Sequence, residues 1–224
     1  MKVSVVIIAY NEEKYIGHCL ESIKNQVEAP DEVIVVDNNS KDNTVKIAEQ
    51  YGVRIVHEKQ QGMTPARNAG FNAATGEIIA RCDSDTVVPK DWIKKIKAYY
   101  NQKAFDALTG PTYLYDTTFP KSTFFTNIYI LVMKLRLKGN DVLIGPNMIL
   151  TKKAWETVKD EVCMNDKVVH EDIDLTIHLL HHGLRVVSKR DLVVGMSGRR
   201  IVRNPASFFI EYLVRNFTTF KQHS

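Results

Sequence analysis

Ile78-Ile79-Ala80-Arg81-Cys82-Asp83-Ser84-Asp85 is an apolar strand pattern that ends in Asp-x-Asp. Two carboxylates at a strand end sit where burial is partial and a divalent cation can be shared with phosphate oxygens. Hard oxygen ligands of this kind suit Mg2+ or Mn2+, which keep positions open for substrate phosphates. The competing reading is a solvated turn that caps a helix starting near Pro89, because acids and turns are common partners. The surrounding sequence decides between them.

Upstream, β-branched runs at Val3–Ile8, Val33–Val36, Val53–Val56 and Glu77–Arg81 alternate with helical periodicity at Glu12–Asn25, Asp42–Tyr51 and Thr64–Ala74. Continuous apolar strands separated by helices predict an α/β fold with a mostly parallel sheet covered on both faces. Asn11-Glu12-Glu13 and Ser40-Lys41-Asp42 supply capping residues for helix starts, and Gly52 and Gly76 punctuate helix ends. In such sheets ligands sit at the carboxyl ends of the strands. The loops that begin at Tyr10, Asp37 and Asp83 are therefore expected at one edge.

Downstream the pattern is less regular. Helices are expected at Lys90–Tyr100, Phe124–Leu137, Glu171–His182 and Pro205–Lys221, and strands at Ala107–Gly110, Arg185–Ser188 and Leu192–Gly195. With 224 residues, 44% hydrophobic and 25% charged, the chain has the composition of one ordinary globular domain. A net charge of +4 suits anionic ligands or an anionic membrane surface, and is too small to argue for nucleic acid, which is not expected as a partner. Cys19, Cys82 and Cys163 are few, odd in number and widely spaced. A disulfide framework or a zinc site is not expected from them, and a reducing, cytoplasmic compartment fits better. The apolar N-terminus is too short for a signal peptide, and no apolar stretch is long enough to span a bilayer.

Val5-Val6-Ile7-Ile8-Ala9-Tyr10-Asn11-Glu12-Glu13, Val33-Ile34-Val35-Val36-Asp37-Asn38-Asn39-Ser40 and Gly62-Met63-Thr64-Pro65-Ala66-Arg67-Asn68-Ala69-Gly70, followed by Asp83-Ser84-Asp85, together resemble the family 2 glycosyltransferases. The match is ordered and spans roughly the first hundred residues, which is far more specific than one motif. The resemblance implies a GT-A fold, Rossmann-like, with a nucleotide-sugar-binding half over residues 1–110 and an acceptor-binding half over 111–224. It also implies an inverting transfer from a nucleoside-diphosphate sugar, UDP being preferred over GDP, in cell-envelope glycan or glycolipid synthesis. By this likeness Ala9, Tyr10, Glu12, Asp37, Arg67, Asp83 and Ser84 hold the donor nucleotide, with Tyr10 against the base and Asp37 on base or ribose. Asp85 binds Mn2+ or Mg2+. The Asx-rich run after Asp37 also reads as a helix cap, and the two roles are compatible.

Val169-His170-Glu171-Asp172-Ile173-Asp174-Leu175 matches the family's Glu-Asp motif, which makes Asp172 the candidate base, with Glu171 its nearest rival and an acceptor contact. Acids also collect in the first turn of any helix through its dipole. Asn147, in Gly145-Pro146-Asn147-Met148, is carried over as an acceptor contact, against a plain turn. Arg199 and Arg200 are candidates for a bidentate clamp on diphosphate, against a solvated basic turn. The family's Gln-x-x-Arg-Trp sequence is missing, which argues against a processive synthase.

Two stretches raise the question of a membrane surface. One is Phe124–Lys138; the other is the tail with Phe208, Phe209, Ile210, Tyr212, Leu213 and Phe217 near Arg203, Arg215 and Lys221. Either they lie in the headgroup region on the cytoplasmic face, with a lipid-linked acceptor instead of a free sugar, or their apolar faces pack on the sheet. A sugar nucleotidyltransferase is a weak rival, because the Ala9–Glu13 loop is acidic and lacks the glycines that grip a triphosphate. A catalytically silent nucleotide-sugar-binding protein is the rival from another class.

Overall fold

The computed structural model describes residues 1–102, 105–117, 122–165, 168–199 and 215–223. The chain runs β1 (Val3–Ala9), α1 (Ile16–Lys24), β2 (Glu32–Asp37), α2 (Thr44–Glu49), β3 (Arg54–His57), α3 (Met63–Ala73), β4 (Ile78–Asp83), β5 (Thr86–Val87) and α4 (Trp92–Asn101). It continues through β6 (Ala107–Thr109), β7 (Thr112–Leu114), α5 (Phe124–Arg136), a single 3-10 turn over Gly145–Asn147, β8 (Met148–Thr151), α6 (Lys152–Val158), α7 (Glu171–His181), β9 (Val186–Ser188) and β10 (Val194–Met196). Residues 215–222 are again helical.

Seven strands form the central sheet in the order β3-β2-β1-β4-β8-β6-β9. The first four are mutually parallel, β8 opposes both β4 and β6, and β6 runs parallel to β9. One reversed strand in seven makes the sheet mostly parallel, as the alternating pattern predicts. A second sheet of three short strands, β5-β10-β7, stands beside it.

Side-chain alternation along β1 explains why helices cover both faces. Val3, Val5, Ile7 and Ala9 enter one core with Ile16, Cys19, Leu20 and Ile23 of α1 and Trp92, Ile93 and Ile96 of α4. Val6 and Ile8 enter the opposite core with Ala66 and Phe71 of α3, Trp155 of α6 and Leu175 and Leu179 of α7. The period of two sends successive residues to opposite faces, so an uninterrupted apolar run needs cover on both. Each fully buried aliphatic contributes about 1.5–3 kcal/mol, which fixes the register of the parallel strands.

Three departures from the sequence reading have local causes. The first helix begins at Ile16 instead of Glu12, because Glu12–Tyr15 forms a turn in which the Tyr15 and Ile16 amides both donate to the Glu12 carbonyl. Strand β8 and helix α6 follow one another without a loop, and Thr151 Oγ1 caps α6 by accepting from the Ala154 amide at 3.0 Å. A four-residue strand between two turns carries too little periodicity to be read beforehand.

Helix α5 forms as expected, but its packing does not follow its periodicity. It buries Ile130 and Met133, the latter against Ile173 and Ile177 of α7. Phe124, Phe125, Ile128, Leu131, Val132 and Leu135 remain 43–76% exposed. Of the expected tail helix, residues 205–214, with the apolar residues Phe208 to Leu213, lie outside the described residues, as do Arg200 and Arg203.

Gly70 shows how closely α3 sits on the sheet. A Cβ there would lie 2.4 Å from Val6 Cγ1 and 2.8 Å from Val36 Cγ2. Alanine normally favours a helix interior over glycine by about 1 kcal/mol. Here steric overlap with two β-branched strand residues wins, and Gly70→Ala is expected to destabilise the fold by about 1–3 kcal/mol in urea unfolding. A neutral or stabilising Gly70→Ala would show that α3 stands further from the sheet.

Candidate active site

Parallel pairing sets the carboxyl ends of β1, β2 and β4 level with one another. Ala9 pairs with Asp37, and Ile8 with Asp83. The loops leaving Tyr10, Asp37 and Asp83 therefore share one edge, and the backbone ties them together. The Asn38 amide donates to the Ala9 carbonyl at 2.9 Å, and Glu12 N donates to Thr44 Oγ1 at 2.7 Å.

Asp37 is buried, with Oδ1 accepting from the Ser40 amide at 3.0 Å and Oδ2 lying 3.2 Å from His57 Nδ1. An Asx turn is thus present after Asp37, but it does not cap the next helix as expected: α2 begins only at Thr44, with Asn43 before it. Tyr10 presents an exposed ring beside it.

Asp83, Asp85 and Glu12 bring three carboxylates to this edge. Asp85 is 9% exposed, and Arg199 Nη2 lies 3.3 Å from its Oδ2. The same guanidinium bonds Glu12 Oε1 and stacks 4.1 Å from the Tyr15 ring centroid. Burial and then the charge of Asp83 push the Asp85 carboxyl up to about 7, against the opposing pull of Arg199. Glu12 Oε2 is buried without a hydrogen-bond partner. These three acids have Arg199 and one edge of Arg81 as counter-charges, and they offer the oxygen donors that a hard divalent cation takes. Below them, Tyr115 Oη donates to the Asp85 carbonyl at 3.1 Å, and the Ser197 amide reaches the same carbonyl at 3.2 Å. Ser84, between the two acids, is buried.

The second constellation lies at the start of α7. Glu171 is clasped by two buried arginines, Arg67 Nη1 at 2.7 Å on Oε2 and Arg81 Nη1 on Oε1. Arg81 Nη2 also bonds Asp83 Oδ1 at 2.9 Å, and its Nη1 lies 3.6 Å from Asp172 Oδ1. Burial alone would raise the Glu171 carboxyl, but the charges of Arg81 and Arg67 outweigh it and hold the group well below the usual carboxylate range. Asp172 goes the other way: burial, and then the charge of Glu171, push it well above that range. Its Oδ2 accepts from the Gly145 amide at 2.8 Å. Gly145 permits this approach, since a Cβ there would lie 3.2 Å from both Asp172 oxygens. Adjacent acids with ionisations driven apart are the arrangement in which one carboxylate stays a fixed charge and the other exchanges a proton.

Two expected site residues have other occupations. Arg67 is fully buried; besides Glu171 it bonds Asn68 Oδ1 through Nε and Nη2, and its guanidinium lies 5.8 Å from the Trp155 ring centroid. Asn147 is fully buried too, accepting from Trp92 Nε1 at 3.0 Å and donating to the Leu192 carbonyl at 2.6 Å. Both ends of its amide are engaged inside the protein. Arg81 and Tyr115 were not singled out in the sequence. For Arg81 a signal existed: a cation inside Ile78-Ile79-Ala80-Arg81-Cys82 must find buried counter-charges.

This geometry is accompanied by a likeness to known proteins over most of the chain. The family model described as glycosyl transferase family 2 matches residues 4–158. The uncharacterized glycosyltransferase YibD of Escherichia coli is 37% identical over 204 residues, covering 82% of this chain and 58% of that protein. The putative glycosyltransferase EpsH of Bacillus subtilis is 38% identical over 99 residues, covering 42% of this chain and 29% of its own. The chain thus corresponds to only part of the length of the curated relatives it matches. Among solved structures, the mannosyltransferase PcManGT of Pyrobaculum calidifontis, in complex with GDP-Man and Mn2+, superposes with a TM-score of 0.78 at 19% identity, over 99% of this chain and 64% of that one. Glucosyl-3-phosphoglycerate synthase of Mycobacterium tuberculosis, in complex with Mn2+ and UDP, gives 0.71 at 20% identity, over 96% and 79%. At such identities these neighbours show the GT-A fold alone. The family model, which takes in β1 to α6, shows more: this chain belongs to glycosyl transferase family 2.

Proposed function

We propose that the protein transfers a sugar from a nucleoside-diphosphate sugar, UDP before GDP, to an acceptor hydroxyl or lipid phosphate with inversion at the anomeric carbon. The observation that carries this reading is the pair of acidic constellations joined through Arg81. Asp83 and Asp85 stand at the sheet edge where α/β folds take nucleotides, and Asp172 stands across Arg81 from them.

In this reading Tyr10 offers its exposed ring to the base, and Asp37, held by the Ser40 amide, accepts from base or ribose. Ala9, Glu12, Asp83 and Ser84 complete the donor edge. Asp85, with Glu12 nearby, would hold Mn2+ or Mg2+, and the bound cation supplies neutralisation of the diphosphate charge. Arg199, which spans Glu12 and Asp85, would contact the diphosphate beside that cation site. Arg200 belongs to the same expectation but lies outside the described residues.

In the transfer itself, the acceptor oxygen bonds to the anomeric carbon on the face opposite the diphosphate. The bond from that carbon to the diphosphate oxygen breaks, its electron pair leaves with the nucleoside diphosphate, and the hydroxyl proton passes to Asp172. Burial, and then the charge of Glu171 kept ionised by Arg81 and Arg67, makes Asp172 more basic than an ordinary aspartate. Arg67 serves here as a positioning residue for Glu171, and Asn147 holds the floor of the site through Trp92. Sugar-nucleotide complexes of the fold neighbours support the donor class, since TarS of S. aureus was solved with UDP-GlcNAc.

The acceptor reading rests on α5. Six large apolar side chains stay exposed along it, and Lys134, Arg136 and Lys138 follow at its C-terminal end. An apolar stripe with a basic end fits an anionic bilayer surface and so a lipid-linked acceptor of the cell envelope. No helix among the described residues is long and apolar enough to cross a membrane.

Three outcomes are expected. In a thermal-shift screen, the matching nucleotide-sugar with Mn2+ raises Tm by several degrees, since a ligand at a hundred times its Kd adds about 2.7 kcal/mol. Asp85→Ala loses the metal-dependent part of that shift, and a full shift in the variant would remove Asp85 from the cation site. Asp172→Asn keeps donor binding while kcat/KM falls about 100- to 10,000-fold. Wild-type turnover in Asp172→Asn would reassign the base, and donor binding without any nucleotide release by the wild type would favour a silent binder. Phe125→Glu with Leu135→Glu abolishes co-sedimentation with anionic vesicles, whereas unchanged sedimentation would exclude α5 as the contact.

A further inference from the structure

One face of α7 carries a second cluster that the transfer reading does not use. Asp174 and His178 are four residues apart, which places them on one face of the helix. His223, just after the 215–222 helix, reaches the same point from the other end of the sequence, with Nε2 2.9 Å from Asp174 Oδ1. His178 Nε2 lies 3.7 Å from that oxygen, and ligand atoms of all three residues fall within 4.8 Å of one another. Asp174 itself is 1% exposed.

We propose that Asp174, His178 and His223 form a Zn2+ site that pins the C-terminal helix to α7. Two imidazole nitrogens and one carboxylate oxygen make a borderline donor set, suited to Zn2+ and poorly suited to Mg2+ or Mn2+. Zinc–ligand bonds of about 2.0–2.1 Å place tetrahedral ligand atoms about 3.3 Å apart. The 2.9 and 3.7 Å separations bracket that edge, so a bound ion needs only small side-chain adjustments.

The surroundings are those of a metal-binding histidine. Glu161 Oε2 lies 3.4 Å from His178 Nδ1, the far nitrogen of the ring, and so favours the tautomer with Nε2 turned toward Asp174. The second oxygen of Asp174 accepts from the Cys163 amide at 2.9 Å, which fixes the carboxylate. His181 stands beside both rings, with centroids 6.5 Å from His178 and 6.0 Å from His223. The site runs along one face of α7, from Asp174 in its first turn to His178 in its last. No cysteine takes part, so the cysteine count gave no indication of it.

What the ion would hold together is specific. Thr219 Oγ1, on the C-terminal helix, accepts from the His170 amide at 2.7 Å, immediately before Glu171 and Asp172, and Thr218 Oγ1 donates to the Val168 carbonyl at 2.5 Å. A cation on His223 therefore secures the segment that buttresses the start of α7. The site shares no residue with the Asp83–Asp85 edge and is independent of the donor reading.

The test is Zn2+ titration of the untagged full chain by calorimetry, with Tm recorded in parallel and Asp85→Ala as the background that removes the other cation site. One equivalent of Zn2+ is expected to bind in both wild type and Asp85→Ala and to raise Tm. His178→Ala and His223→Ala, each checked for native circular dichroism, are expected to lose that equivalent and its Tm rise, and Mn2+ is expected not to replace it. Failure of the wild type to take up Zn2+, or uptake and Tm rise unchanged in both histidine variants, would overturn the site. Loss of binding in Asp85→Ala alone would move the ion to the donor edge and overturn it equally.

Discussion

Arg81 is the residue on which the rest of the site depends. A guanidinium buried in the middle of a central strand is tolerated only if its charge is met, and three acids meet it: Asp83 on its own strand, and Glu171 and Asp172 on α7. Removing one partner from a buried network of this kind typically costs about 3–5 kcal/mol, because the remaining charge is stranded. Arg81 and Asp83, two residues apart, share a face of β4. The strand that delivers the acidic edge is therefore the strand that grips α7.

This arrangement couples two jobs that need different electrostatics. At the sheet edge, acids are crowded until a cation becomes the natural partner, and Arg199 meanwhile covers Glu12 and Asp85. At α7, the crowding is resolved by unequal pairing. Glu171 takes both arginines and stays ionised, while Asp172 receives the Gly145 amide and the repulsion of its neighbour. A single carboxylate in the same pocket would be neutralised by Arg81 and would be a poor base.

Much of the N-terminal half is legible in the sequence because its signals are local. Val3–Ile8 and Val33–Val36 announce buried parallel strands, and parallel pairing then aligns Asp37 and Asp83 without further information. The C-terminal half is harder, since its determinants are tertiary. Strand β8 is four residues long and takes its place only by pairing with β4 and β6. Asn147 reads as a turn residue, and only the fold shows Trp92 and Leu192 closing on it from 55 and 45 residues away. Arg67 sits in the stretch that carries the family likeness, yet its partner lies 104 residues on. The apolar spacing of α5 marks a helix correctly, but periodicity does not say which face meets protein: Phe124, Ile128, Leu131 and Leu135 point outward.

The most direct measurement is the ionisation of Asp172 in the wild-type protein, followed by 13C NMR of its side-chain carboxyl across a pH titration. The account predicts that Asp172 takes up its proton at a pH well above the ordinary aspartate value of about 3.9, while Glu171 stays ionised down to pH values well below the glutamate one. An Asp172 that titrates at or below the ordinary value, or a Glu171 that protonates first, would contradict the division of roles imposed by Arg67 and Arg81.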